Sequence, residues 1–336
     1  MSRALWLGLL LTLFAGLLSG NCMLPMKFTK RWAWENTWLV FSLVSLVVIP
    51  WGLAFTQVPG ITGVYRALPA SAWLVTMAFG AGWGIAQVLF GLSIVRLGLA
   101  LGYAIIVGLG AVLGTVVPLL VQNRDVIATG RGALILSGVA IMALGIAVSA
   151  RAGRLREGAT RAGTERGYRT ALALALLCGL MAPMLNFAFA FGQSIAEEAV
   201  RQGAAPAAAG YAVWPVALLG GLLPNLAYSV WLLSRNGTWS RFQDSWSLDA
   251  ALGCLMAVLW MGAFAIYGVG SFYLGKLGTS AGWALFQIFM IITANVSGVL
   301  AGEWKTASIK AKRELWAGLA LLSLATVTIA AGNLNL

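Results

Sequence analysis

Ten carboxylates, no histidine and three separate cysteines are all that this chain of 336 residues offers for acid–base, nucleophilic or metal chemistry. The carboxylates fall in or beside polar stretches. Glu35, Asp249, Glu303 and Glu314 stand at the ends of apolar runs, and Glu197 and Glu198 follow another; none stands at the centre of one. Cys22, Cys178 and Cys254 each lie alone among apolar neighbours without CxxC spacing, so neither a zinc site nor a disulfide framework is indicated. The commonest metal ligand and proton shuttle is missing with histidine. An enzyme needs a nucleophile, an acid–base pair or a metal, so hydrolytic and metal chemistry are excluded, and no metal or cofactor is expected. What remains inside the apolar runs are amides and polar-tipped aromatics: Asn21, Trp83, Gln87, Tyr103, Asn186, Trp260, Tyr267, Trp283 and Gln287, with Trp214, Asn225, Tyr228 and Asn295 at similar depth. Asn and Gln donate and accept, as hydroxyl groups require. An aromatic face packs on the apolar side of a sugar ring. The set suits a neutral, hydroxyl-rich small molecule. An amide at such depth also serves simply to hydrogen-bond a neighbouring helix. The grouping of Gln87, Asn186 and Gln287 on three separate runs is the strongest pointer to a shared site.

The elements that must carry these residues are set by composition. The chain is 60% hydrophobic and 10% charged, with mean hydropathy +0.88, whereas soluble domains carry about a quarter charged residues. The bilayer must be the solvent for much of it. Ten runs of the length needed to cross the hydrocarbon are predicted, at roughly 4–24, 37–57, 71–92, 97–121, 132–151, 170–191, 208–234, 250–274, 277–301 and 315–333. The first run, with Arg3 before it and Leu18-Ser19-Gly20-Asn21-Cys22 near its end, looks superficially like a lipoprotein leader. The Cys comes one position too late and basic residues follow at once, so a retained first helix is expected.

A net charge of +12 invites a nucleic-acid partner, but the basic residues sit between apolar runs and form no continuous face, so none is expected. If the helices alternate in direction, 16 of the 22 basic residues fall on one side. The excess of Lys and Arg on cytoplasmic loops then predicts a cytoplasmic 152–169 loop and both termini outside.

Two short echoes suggest an internal repeat. RLGLALGYA at 96–104 aligns with KLGTSAGWA at 276–284, and AGLLSGNCM at 15–23 with CGLMAPMLN at 178–186. The expected fold is therefore an all-α integral membrane protein of ten transmembrane helices in two five-helix halves, 1–151 and 170–336, joined by the basic loop 152–169. Five is odd, so the halves enter the membrane from opposite sides. Inverted repeats of this kind place a site near the midplane at their interface. That organisation points to a carrier working by alternating access. An exporter or exchanger of another small polar solute, or a membrane scaffold, remains open at this stage. The pairs Gly98/Gly102, Gly110/Gly114 and Gly278/Gly282 are expected to let the fourth and ninth helices pack closely. The fragments GAGWG at 80–84 and GLG at 108–110 lie inside apolar runs and lack the context of a dinucleotide fingerprint. The stretch 270–276 misses a phosphate loop because Leu277 stands where Ser or Thr belongs.

Several segments resemble the bacterial L-rhamnose–proton symporter family of the drug/metabolite transporter superfamily: SGNCMLPMKFTKRWAWENTW at 19–38, FGAGWGIAQVLFGLSIVRLGLALG at 79–102, CGLMAPMLNFAF at 178–189, the stretch Pro215–Asn225, and GEW at 302–304. Together they run from end to end. The resemblance implies uptake of a deoxysugar driven by protons across a bacterial inner membrane. It also implies sugar contact from helices one, three, four, six, eight and nine. Glu35, Asp249 and Glu303 are then the candidates for proton coupling, each being also a plausible loop charge or helix cap.

Overall fold

The computed structural model describes residues 3–97, 99–157, 165–244 and 246–334. Among these residues the regular structure is entirely helical. Ten spans are long and apolar enough to cross a bilayer: α1 (Arg3–Phe28), α2 (Trp34–Gln57), α3 (Ala70–Ser93), α4 (Leu101–Gln122), α5 (Gly130–Arg156), α6 (Gly167–Arg201), α7 (Ala209–Asn236), α8 (Leu248–Leu277), α9 (Ala281–Leu300) and α10 (Ile309–Asn333). All ten expected runs are present. Helix extends into the 152–169 stretch from both sides, since α5 continues to Glu157 and helix resumes at Glu165. Residues 158–164, including Arg161, lie outside the described residues, as does Gly98.

The outer faces carry Leu10, Phe14, Phe55, Leu74, Leu144 and Val327, all large, apolar and exposed, as a lipid-facing surface requires. Inside, α1 packs on α8 and α9, and α6 packs on α3 and α4. Helix α3 lies on α7 and α8 on α2, while α5 pairs with α10 and α2 with α7. Replacing each helix by the one five places on maps this pairing onto itself, which is consistent with two related halves.

Glycines set the closest crossings. On α3 and α7, Gly80, Gly84, Gly220 and Gly221 bring backbone against backbone; a Cβ on Gly80 would collide with the Ala217 carbonyl. The GAGWG fragment is thus a helix-crossing surface of the small-residue kind. Gly114 of α4 makes room for the Trp283 indole of α9, as the small-residue pairs led us to expect. Gly278 differs from that expectation. It precedes α9, and a Cβ there would strike Ser271 of α8, so it serves a tight turn.

Two prolines break the helical ladder where it matters. Helix stops at Met181 and restarts at Met184, with Ala182 and Pro183 between. Pro118 lies inside α4. Having no N–H, it leaves the carbonyl four residues earlier, that of Gly114, without its helical partner. In a membrane interior such a group must find another donor.

Candidate functional site: an aromatic core between an open cavity and an ionic face

Asn186 is that donor. It is fully buried one turn past the α6 break. Its Nδ2 donates to the Gly114 carbonyl (2.9 Å) and to the Thr279 carbonyl (2.8 Å). Its Oδ1 accepts from the Tyr267 hydroxyl at 2.8 Å. One side chain thereby ties α4, α6, α8 and the turn before α9. The amide is wholly engaged by protein, so Asn186 is built as a hub.

Aromatic rings fill the centre. Trp83 stacks on Trp260 (centroids 5.3 Å apart, 22°), Trp260 meets Phe264 at 4.6 Å, and Phe264 leads to Trp283. Tyr267 sits edge-on to Trp283 at 5.8 Å. Trp283 donates its indole N–H to the Gly110 carbonyl at 3.2 Å. Of the nine sequence candidates, Trp83, Asn186, Trp260, Tyr267 and Trp283 thus form one connected group. Gln287 is buried one helical turn from Trp283, and Gln87 is half-buried on α3. Neither amide head has a hydrogen-bond partner among the described residues. Asn21 and Tyr103 lie elsewhere. Asn21, at the far end of α1, accepts from the Ser297 hydroxyl at 2.6 Å. Tyr103, near the start of α4, meets Phe90 at 6.3 Å. Asn225 likewise has a structural partner, the Trp38 indole at 3.1 Å.

At one end of this column a cavity of about 500 Å³ opens where α4, α6 and α8 finish and α9 begins. Its walls include Gln122, Phe189, Gln193, Ser271, Lys276 and Thr279. Sequence reasoning passed over these residues. They sit at helix ends, where polar side chains are expected anyway, and only the fold shows that four helix ends converge. Thr279 donates to Gln122 Oε1 at 3.3 Å, and Gln122 Nε2 donates to the Ala190 carbonyl at 2.8 Å. Phe189 lies flat on Trp214 (4.6 Å, 7°).

At the opposite end three carboxylates hold neighbouring elements together. Glu303, after α9, pairs with Lys27 and with Arg156 (3.1 Å), and Arg156 also covers the Trp304 ring at 4.9 Å. Asp249, at the start of α8, is fully buried. It accepts backbone N–H groups from Lys30 (3.0 Å), Arg31 (2.9 Å) and Trp32 (2.9 Å). Glu35 accepts from Asn236 at 3.0 Å and Thr238 at 2.8 Å. Each of the three joins a residue before 152 to one after 169. The three proton-coupling candidates therefore share one face and one structural task, tying the two parts of the chain together. Among the described residues no group of acidic, histidine or cysteine side chains could hold a metal.

The family model described as L-rhamnose-proton symport protein (RhaT) matches residues 1–334. Curated relatives agree along their whole length. The L-rhamnose-proton symporter of Mannheimia succiniciproducens is 28% identical over 96% of both chains. That of Cronobacter sakazakii is 27% identical over 99% of both, and that of Escherichia coli 26% identical over the full length of both. With the match running from one end to the other and the ten spans in place, the chain belongs to the L-rhamnose–proton symport protein family.

Proposed function

We propose that this protein is a bacterial inner-membrane carrier that takes up L-rhamnose, or a closely related sugar, together with protons by alternating access. The observation that carries the reading is the asymmetry of the two ends: a cavity of about 500 Å³ opens at one, and ionic ties cross the other. This is the arrangement of a carrier waiting for solute. The predominance of Lys and Arg at the tied end supports a cytoplasmic placement for it, with the cavity and both termini outside. The self-mapping pairing of helices supports two halves, 1–151 and 170–336, that rock about the aromatic core.

Proton coupling then acts through Glu35, Asp249 and Glu303. A protonated carboxyl loses its charge attraction for the partners of Glu303 and about half its hold on the N–H groups around Asp249, since bonds to a charged acceptor are about twice as strong as neutral ones. For symport the proton must reach these carboxyls from the outside, through the protein; neutralisation then loosens the cytoplasmic face, and release of the proton to the cytoplasm closes it again. The indole and amide groups of Trp83, Trp260, Trp283, Gln87 and Gln287 line the route opened by the movement.

The test is uptake of labelled L-rhamnose into proteoliposomes, with and without an inward proton gradient. Accumulation that requires the gradient is expected. Equilibration without accumulation would refute proton coupling, and no uptake by folded protein would refute the sugar.

A further inference from the structure

We infer that the open cavity is itself a recognition site for a neutral, polyhydroxylated pyranose, built from Gln122, Gln193, Ser271 and Thr279 around the ring of Phe189. This rests on the transport reading above and adds where the sugar first binds and what the site rejects.

Volume comes first. A cavity of about 500 Å³ lies inside the range of small-molecule sites, about 300–1,000 Å³. The chemistry of the walls comes next. Two amides and two hydroxyls can each donate and accept, which matches ring hydroxyls that do both. Phe189 is held rigid by its stack on Trp214 and is 4% exposed, so it offers a small, fixed apolar contact to the C–H groups of a sugar. Lys276 is the charged side chain on the walls, and no carboxylate lines the cavity among the described residues. Ammonium groups are therefore repelled, and amino sugars are excluded.

A third observation is independent of the walls. Trp214 is buried, and its Nε1 has no hydrogen-bond partner among the described residues. It lies 3.3 Å from the point that a Cβ on Gly268 would occupy, and Gly268 lines the cavity. With no side chain at Gly268, the unsatisfied donor stands directly behind the cavity wall. A buried N–H without an acceptor is unfavourable, and a sugar hydroxyl entering at Gly268 would supply one.

The site is also wired to the hub. Thr279 uses its hydroxyl on Gln122 and its carbonyl on Asn186. A sugar that replaces the Thr279–Gln122 bond acts directly on the residue pair that joins α4 to the start of α9.

The experiment is thiol protection. Pro206 is exposed and lines the cavity without being one of the four proposed sugar contacts, so Pro206→Cys leaves those contacts in place. Ala207→Cys, on the loop over the cavity, is the second reporter. Wild-type protein is the blank, since Cys22 and Cys178 are buried and Cys254 half-buried. Membrane-impermeant thiol reagent should label both variants, and saturating L-rhamnose should slow labelling at least tenfold, with glucosamine at the same concentration having no effect. Gly268→Ala in either background should raise the half-protecting sugar concentration severalfold. Unprotected labelling at both positions, in protein that transports L-rhamnose, overturns the site while leaving the transport reading intact. Equal protection by glucosamine overturns the assigned sugar class. Protection without wild-type uptake supports the site and counts against transport alone.

Discussion

Replacing Asn186 by Leu, similar in shape but unable to hydrogen-bond, removes three bonds at once. Hydrogen bonds between membrane helices average about 0.6 kcal/mol and reach about 1.7, so the three together amount to about 2–5 kcal/mol. Their loss is unequal. The Tyr267 hydroxyl keeps a long contact with the Gly278 carbonyl at 3.5 Å, and the Thr279 carbonyl belongs to a residue of the cavity wall, within reach of water. The Gly114 carbonyl is left without a donor, because Pro118 has no N–H to offer it. A second substitution isolates that term. Pro118→Ala restores the helical N–H, and in wild-type protein this donor is redundant because Asn186 already serves Gly114. In Asn186→Leu protein it is the only donor available. Stability of the four proteins, measured by unfolding in mixed detergent micelles, should show Pro118→Ala helping Asn186→Leu by about 0.6–1.7 kcal/mol more than it helps wild type. Equal effects in the two backgrounds would refute the account of Asn186 as the partner of a carbonyl that proline releases.

Three other outcomes follow from the same geometry. Glu303→Gln weakens two half-exposed ion pairs, worth about 1 kcal/mol together after solvent screening; alkylation of the buried Cys22 at that face should quicken about fivefold, and an unchanged rate would remove Glu303 from the closing ties. Gly80→Ala should abolish stable folding in detergent, because its methyl meets the Ala217 carbonyl, whereas Gly52→Ala, with nothing within 4 Å, should be silent; a normal melting curve for Gly80→Ala would show that α3 and α7 can separate without cost. Gln287→Ala and Gln87→Ala should each cost about one hydrogen bond to solute, a roughly fivefold loss of apparent affinity with the protein still folded; wild-type uptake in both would take them off the route.

The ten spans were legible because each keeps about 20 apolar residues together and little else in this chain competes with that pattern. The aromatic group was legible too, since Trp83, Trp260, Tyr267 and Trp283 are polar-tipped rings at membrane depth. The role of Asn186 was not. Its meaning depends on Pro118, 68 positions away, and a carbonyl released in one helix cannot be matched to an amide in another before their packing is known. The cavity residues were missed for a different reason. Nothing in the sequence marks Gln122, Gln193 or Thr279 as neighbours, since they stand far apart along the chain. Gly80 and Gly84 looked like a fragment of a nucleotide loop because glycine serves close approach in both settings; only the neighbouring Gly220 and Gly221 show which.

On the proposed reading, the distribution of charge across the two ends lets a chain with no central acid respond to protons. Near the cavity the two parts are joined by neutral groups: Gln122 to the Ala190 carbonyl, Asn123 to the Lys276 carbonyl, Asn186 to the Gly114 carbonyl. Those ties do not change with pH. At the other end the ties run through Glu35, Asp249 and Glu303, all of which a proton can neutralise. On that reading a proton loosens one end and leaves the other as it was. Solute acts on the neutral end, where hydroxyl groups compete for amide and hydroxyl partners of similar strength. The two ends stand about 40 Å apart along α8, from Asp249 to Lys276 at 1.5 Å per residue, with the aromatic core between them.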